Sequence, residues 1–179
     1  MKPIKKITLS GVLSAFSLIA FMLENLFPPL FVVGGRIGIA NFFVLIAGIY
    51  LGFWFGAGVL TIKSIVGSIF VGNAGAILYS LPAGVIAYAV QMALILFAPK
   101  VSVIAASVLG GVMNACLQNL TFCLITATPE YIAYIPYLAL VGVIGGGVVG
   151  AAVYLTIKRL PERVFNNSTK EQEIEHSKT

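Results

Sequence analysis

Long apolar runs, separated by short breaks rich in glycine and proline, are the feature that most restricts how this chain folds. An apolar stretch of ~20 residues is long enough to cross a bilayer as a helix. Only 9% of the residues are charged, whereas soluble domains average roughly 25%. The sequence therefore predicts an all-α integral membrane protein, a bundle of six transmembrane helices. The predicted spans are residues 7–27, 37–52, 56–71, 76–97, 101–127 and 132–157.

The second and third runs are close to the lower length limit for a span. A single re-entrant pair is therefore the alternative to two full spans in that region. After residue 157 the composition changes to a polar tail of mixed charge with almost no apolar residues. We predict a membrane domain over residues 1–157 and a disordered cytoplasmic tail over residues 158–179.

Basic residues lie near span ends that an even number of spans places on one side of the membrane. Because such residues favour the cytoplasmic side, we predict a multi-pass protein of the cell membrane with both termini in the cytoplasm. The lysine-rich start also resembles a signal peptide, but residues 21–30 offer no small-x-small cleavage site, so we expect the first span to be retained. The basic residues concerned are Lys2, Lys5, Lys6, Lys100, Lys158, Arg159 and Arg163.

The inventory of reactive side chains argues against an enzyme. The chain has no Asp, and its one histidine, His176, lies in the polar tail. Cys116 and Cys123 are ~10 Å apart along one predicted helix, too far to form a disulfide. Acid–base, nucleophilic and metal-assisted catalysis need several reactive groups at one point. We therefore expect no catalytic activity, metal or cofactor.

Two glycine-rich segments, residues 28–36 and 72–75, face outward in the predicted topology. Polar residues flank them: Arg36 and Asn41 follow the first, and Asn73 lies within the second. Such loops over a polar cavity would form a lid, and ordinary tight turns are the alternative. The glycines at 34, 35 and 38 do not form a phosphate-binding loop, because no strand precedes them and the Lys-Ser/Thr pair is absent.

Lys63 lies well inside the third predicted span. A cation at that depth costs at least ~2.5 kcal/mol unless it faces protein or water. It could line a binding cavity for an anionic or carbonyl-rich ligand. The alternatives are a structural ion pair with Glu24, near the end of the first span, or a lysine whose ammonium reaches the membrane surface.

The fifth predicted span carries Asn114, Gln118 and Thr121 on one helical face. This polar stripe predicts an orientation toward the inside of the bundle. Contact with a ligand and hydrogen bonding between helices explain it about equally well.

Small residues recur at four-residue intervals on two predicted helices. In the first span Gly11 and Ala15 form such a pair, and in the sixth span Gly142, Gly146 and Gly150 repeat. Both stripes allow close approach of another helix. We expect the sixth span to pack internally, whereas docking of a second membrane protein and internal packing are both open for the first.

Several of these residues carry a resemblance to a known family. Glu24, the stretch Gly-Arg-Ile-Gly-Ile-Ala-Asn at 35–41, Lys63 and residues 110–118 resemble the Gx transporter family, over about residues 7–158. Asn114 stands where we would expect the family to have His. Members of this family look like substrate-capture (S) components of energy-coupling-factor transporters. An older label of the same family is heptaprenyl diphosphate synthase component I.

The resemblance implies a six-helix protein that binds a vitamin-sized ligand from the outer face. It would dock on a transmembrane coupling subunit driven by two ATPase subunits, with Gly11 and Ala15 on the docking face. The expected partners are thus a small molecule, the coupling subunit, the ATPase subunits and membrane lipid. Nucleic acid is not an expected partner. The candidate ligand-facing residues are Arg36, Asn41, Lys63, Asn73, Asn114 and Gln118.

Two other functions stay open. One is a non-catalytic membrane subunit linked to prenyl diphosphate synthesis for quinone side chains. Catalysis of prenyl elongation itself would need aspartate clusters that hold magnesium, and the chain has no Asp. The other is a membrane component of a flavin- or quinone-linked redox system, for which the sequence shows no cofactor ligands.

Overall fold

The computed structural model describes residues 3–26, 38–98 and 100–159. Within these ranges all regular structure is helical, which confirms the predicted all-α membrane bundle. A short 3₁₀ helix, Pro129–Tyr134, precedes the last long helix. The α-helices are α1 Pro3–Leu26, α2 Asn41–Leu51, α3 Phe53–Phe70, α4 Ala76–Phe97, α5 Val103–Thr126 and α6 Ile135–Arg159.

Five of the described helices are long and apolar enough to cross a membrane, and α2 is the exception. It has 11 residues and is ~17 Å long, about half of a hydrocarbon core of ~30 Å. The helix predicted from residue 37 begins only at Asn41, because Gly38 has a φ of 80° and turns the chain. As described, α2 is therefore a half-length helix and not the full span that the sequence predicted.

Helix α2 lies in one half of the bundle. At its start, the Ser17 hydroxyl of α1 donates to the Ala40 carbonyl oxygen at 2.9 Å, so α2 begins beside the second half of α1. Just after its end, Phe55 of α3 lies 5.8 Å from the Lys6 ammonium, near the start of α1. Gly52, with a φ of 111°, reverses the chain between α2 and α3.

Backbone contacts through glycine hold α5 and α6 together. A Cβ built on Gly142 would lie 2.7 Å from Val112 Cα, and one on Gly146 would lie 2.5 Å from the Ser107 carbonyl oxygen. Such distances leave no room for a side chain, so the two backbones approach as closely as small residues allow. The internal packing predicted for the glycine stripe of the sixth span is confirmed.

Basic side chains gather at one end of the bundle, which we call the basic end: Lys5, Lys6, Lys100, Lys158 and Arg159. The apolar core ties these helix ends together, because Val153 of α6 packs in one cluster with Leu9 of α1 and Val103 of α5. Trp54 and Phe97, 82% and 83% exposed, lie at the same end. This grouping agrees with the predicted distribution. Lys2, Arg163 and most of the predicted tail, residues 160–179, lie outside the described residues.

Candidate functional site

Two adjoining cavities of about 70 and 40 Å³ lie in the middle of the bundle; they share seven lining residues, and we call them the two lobes of one cavity. Helices α2 to α6 line both lobes, and α1 contributes to the larger one. Four glycines line the shared part, which we call the throat, so few side chains narrow it. The throat residues are Gly38, Asn41, Leu60, Gly84, Gly111, Asn114 and Gly146.

The larger lobe carries the charges and is called the charged lobe here. Lys63 of α3 is 8% exposed, and its ammonium donates to Asn41 Oδ1 at 2.5 Å. Glu24 of α1 accepts a hydrogen bond from the Ile39 backbone N–H at 2.5 Å. Both charged side chains have further interactions in the structure. Two of the sequence candidates, Asn41 and Lys63, are therefore in direct contact at the wall of one cavity.

The start of α2 adds positive potential to the charged lobe. Asn41 is the first residue of α2, and no side chain caps this helix end. The N–H groups of Asn41 and Phe42 bond to the carbonyl oxygens of Gly38 and Ile39 at 2.9 and 3.0 Å, so the aligned peptide dipoles of α2 provide the partial positive charge at this end. The Lys63 ammonium and the start of α2 thus act on the same space.

Two amide side chains of α5 face the same cavity. Asn114 lines both lobes and Gln118 lines the charged lobe. Neither amide makes a side-chain hydrogen bond to any part of the chain that the structure describes. Thr121 bonds within its own helix, to the Leu117 carbonyl oxygen at 2.7 Å. Of the two explanations for the polar stripe, the geometry favours the cavity-facing one for Asn114 and Gln118.

The smaller lobe, here the neutral lobe, has uncharged walls. Gln91 of α4 donates through Nε2 to the Ser107 hydroxyl of α5 at 3.0 Å, and both residues are buried. Tyr88 lies beside them and donates to the Phe53 carbonyl oxygen at 2.9 Å. The sequence analysis missed Gln91 and Ser107. An amide in the middle of the run 76–97 was the available signal, since polar groups inside spans face protein or water.

Other sequence candidates lie elsewhere. Asn73 is exposed in the turn between α3 and α4, where its backbone N–H bonds to the Ser68 carbonyl oxygen at 2.9 Å, and it lines neither lobe. Arg36 and the predicted lid segment 28–36 lie outside the described residues. Gly11 and Ala15 are exposed on α1, and a Cβ on Gly11 meets no atom within 4 Å. Their docking role stays a prediction.

Aromatic side chains cover the end of the bundle opposite the basic end. Phe122 of α5 meets Tyr79 of α4 and Tyr131 of the 3₁₀ helix edge to face, with ring centroids 5.4 and 5.5 Å apart. These contacts fix the 3₁₀ helix on the bundle next to the small cluster of Ala115 and Leu138. The sequence analysis missed this arrangement too.

Comparison with known proteins gives one positive result. The family model described as heptaprenyl diphosphate synthase component I matches residues 13–156. No curated protein and no solved structure matches the chain. The matched range runs from the middle of α1 to near the end of α6 and includes every cavity residue named above. The resemblance drawn from the sequence is confirmed under its older label: the chain belongs to the heptaprenyl diphosphate synthase component I family.

Proposed function

We propose that this protein is the solute-binding membrane subunit of an energy-coupling-factor-type transporter. It would capture a small anionic or carbonyl-rich, vitamin-like solute from the outer face for ATP-driven uptake. One observation carries the proposal: a buried lysine, held by Asn41, shares a cavity inside the bundle with two amides that have no hydrogen-bond partner among the described residues.

Energetics support a ligand at this point. An ammonium inside the membrane is costly unless it faces polar groups or water, and a position on the wall of a polar cavity meets that condition for Lys63. The amides of Asn114 and Gln118 add donors and acceptors that the described protein leaves open. An anionic or acceptor-rich solute would bond to the ammonium and the amide N–H groups together.

The size of the cavity defines how much of a solute fits. Lobes of about 70 and 40 Å³ are smaller than typical ligand pockets of ~300–1,000 Å³. The described cavity would therefore hold the polar part of a vitamin-sized molecule, and helices must separate to admit more.

The partners follow from the family resemblance and from what the chain lacks. The sequence contains no nucleotide-binding motif, so ATP-driven uptake requires separate ATPase subunits, and the resemblance adds a transmembrane coupling subunit. We place the basic end in the cytoplasm of a cell-membrane protein, following the positive-inside rule. The exposed face of α1 around Gly11 and Ala15 is the proposed docking face for the coupling subunit.

The family description supports a second candidate, a non-catalytic membrane subunit linked to prenyl diphosphate synthesis. On that reading the chain would assemble with a soluble prenyltransferase. The buried lysine and open amides would then have no assigned solute, which makes this the weaker candidate.

Purification with native partners tests the proposal. We expect ATPases and a coupling subunit to co-purify, and mass spectrometry of the denatured complex to find a released small molecule. Lys63→Met should lose that molecule, whereas Thr121→Val, a matched polar substitution on α5 outside the cavity, should retain it. Co-purification of a prenyltransferase without ATPases would support the second candidate. Solute accumulation in liposomes on an ion gradient alone would contradict the proposed ATP-driven mechanism.

A further inference from the structure

The two lobes of the cavity differ in charge, and the difference follows the axis of the bundle. The charged lobe contains Lys63 and Glu24, and the neutral lobe contains the buried pair Gln91 and Ser107. The throat, whose residues line both lobes and include Asn41 and Asn114, lies between them. A ligand that fills both lobes must therefore present different chemistry at its two ends.

The neutral lobe retains hydrogen-bonding capacity. The bond from Gln91 to Ser107 uses one of the two amide N–H groups and leaves the Gln91 carbonyl oxygen able to accept. The surrounding walls are apolar, with Val44, Leu45 and Val149 among them. An ionised group would be costly to desolvate there, whereas an uncharged amide or ring nitrogen would find partners.

The throat admits a narrow group. Gly84 lies on its wall, and a Cβ built there would contact Leu60 Cδ1 at 3.4 Å and Asn114 Oδ1 at 3.8 Å. These are ordinary van der Waals distances, so a methyl group fits without displacing the protein. The same methyl would fill space at a wall that both lobes share.

We propose, building on the proposed function, that the cavity selects a bipolar ligand. Its anionic group binds at Lys63 in the charged lobe, and an uncharged hydrogen-bonding group extends through the throat to Gln91 and Ser107. The ligand is thus a small organic anion with a neutral polar group a few bonds away, oriented with its charge toward the end opposite the basic end. Molecules with two anionic ends, or with an apolar tail, bind less well.

Matched small probes test this selection. The probes are unbranched carboxylates of three to six carbons that end in a primary amide, each compared with the carboxylate that ends in methyl, the dicarboxylate and the uncharged monoamide. Affinities are measured by NMR titration of the purified protein in detergent. We expect the best amide carboxylate to bind about 2- to 10-fold more tightly than its methyl-ended partner, the range for one neutral hydrogen bond.

Variants test which lobe provides the gain in affinity from the terminal amide, and which lobe binds the carboxylate. Gln91→Leu with Ser107→Ala replaces both partners together, which avoids leaving a buried polar group unpaired. This double variant should abolish the gain from the amide and leave binding of the methyl-ended carboxylate unchanged. Gly84→Ala should also abolish the gain from the amide, because its methyl group fills space in the throat that a ligand needs to reach the neutral lobe. Lys63→Met should abolish the preference for carboxylates over monoamides. Gly147→Ala is the matched control, because a Cβ there meets only Val108 Cγ2 at 4.0 Å.

Equal affinity for the amide carboxylates and their methyl-ended partners would overturn the proposal that the cavity selects a bipolar ligand. A gain in affinity from the amide that persists in both the double variant and Gly84→Ala would overturn it too. Absence of binding by every probe up to 50 mM would overturn it as well. If the double variant does not fold, Gly84→Ala decides the question alone. The proposed function fails separately, when no solute is released from the purified complex and no ATPase accompanies it.

Discussion

Replacing Lys63 by methionine separates a ligand-binding role from a structural one. The side chain is 8% exposed and donates to Asn41 Oδ1 at 2.5 Å, and it makes a further interaction, so methionine removes a buried charge together with these contacts. Loss of the bond to Asn41 costs about 1.5–3 kcal/mol, and relief from burying an ammonium in the membrane returns about 2.5–3.5 kcal/mol. If Lys63 serves the ligand, these two effects dominate and nearly cancel, so the thermal stability of the protein without ligand should change little.

Ligand binding should respond much more strongly to the same change. Truncating one partner of a buried, hydrogen-bonded charge pair costs about 2–5 kcal/mol, which is roughly a 30-fold to several-thousand-fold loss of affinity. The assay is isothermal titration calorimetry with the solute released from the wild-type protein, alongside a thermal unfolding curve of each variant in detergent. Thr121→Val serves as the control, because its hydroxyl bonds only within α5 among the described residues.

A structural role predicts the opposite pattern. If Lys63 mainly neutralises Glu24, Lys63→Met leaves that carboxylate at the cavity wall without its cation, and the midpoint of unfolding falls. Adding Glu24→Gln should then restore most of the stability. Recovery of both stability and ligand affinity in the double variant would refute the assignment of Lys63 to the ligand.

Three further predictions test packing, topology and docking. Gly146→Ala should destabilise the protein in thermal unfolding by about 1–3 kcal/mol, because its Cβ would lie 2.5 Å from a backbone oxygen of α5, whereas Gly147→Ala should have little effect. Asn73→Cys should react with a membrane-impermeant thiol reagent in intact cells, and Asn167→Cys should be protected. The reverse pattern would contradict a cytoplasmic basic end. Gly11→Leu should prevent co-purification of the coupling subunit while solute affinity survives, and intact assembly with lost affinity would place this stripe inside the protein.

The fold class and the position of most helices were predictable from the apolar runs. The predicted bounds of residues 76–97 coincide with α4, Ala76–Phe97, because clear breaks at Gly75 and after Phe97 delimit that run. The start of α2 was not predictable, because residues 37–40 are as apolar as the helix that follows. Helix α2 does not begin before Asn41 because the backbone turns at Gly38, which has a φ of 80°. That turn depends on tertiary contacts that composition does not encode.

The candidate site was predictable in its charged half only. Lys63 is conspicuous in an apolar run, and its proximity to Asn41 is an expected consequence of a helical hairpin. The pairing of Gln91 with Ser107 depends on how α4 crosses α5, and Ser107 alone in an apolar helix is unremarkable. Asn73 looked equally suitable as a ligand contact, yet the turn that holds it lies outside the cavity.

The short α2 places its first residue at the wall of the cavity. Helices α2 and α3 run antiparallel, and a Cβ on Gly56 would lie 2.8 Å from Gly48 Cα, which sets these two glycines at one level. Asn41 lies seven residues before Gly48 and Lys63 lies seven residues after Gly56, both toward the end opposite the basic end. The two residues are therefore at one level, and their side chains are hydrogen-bonded. An α2 extended by two more turns would cover the face of α3 beyond Lys63 and bury the lysine against helix. Because α2 begins at Asn41 instead, the Lys63 ammonium, the Asn41 side chain and the amides of α5 all border the same space.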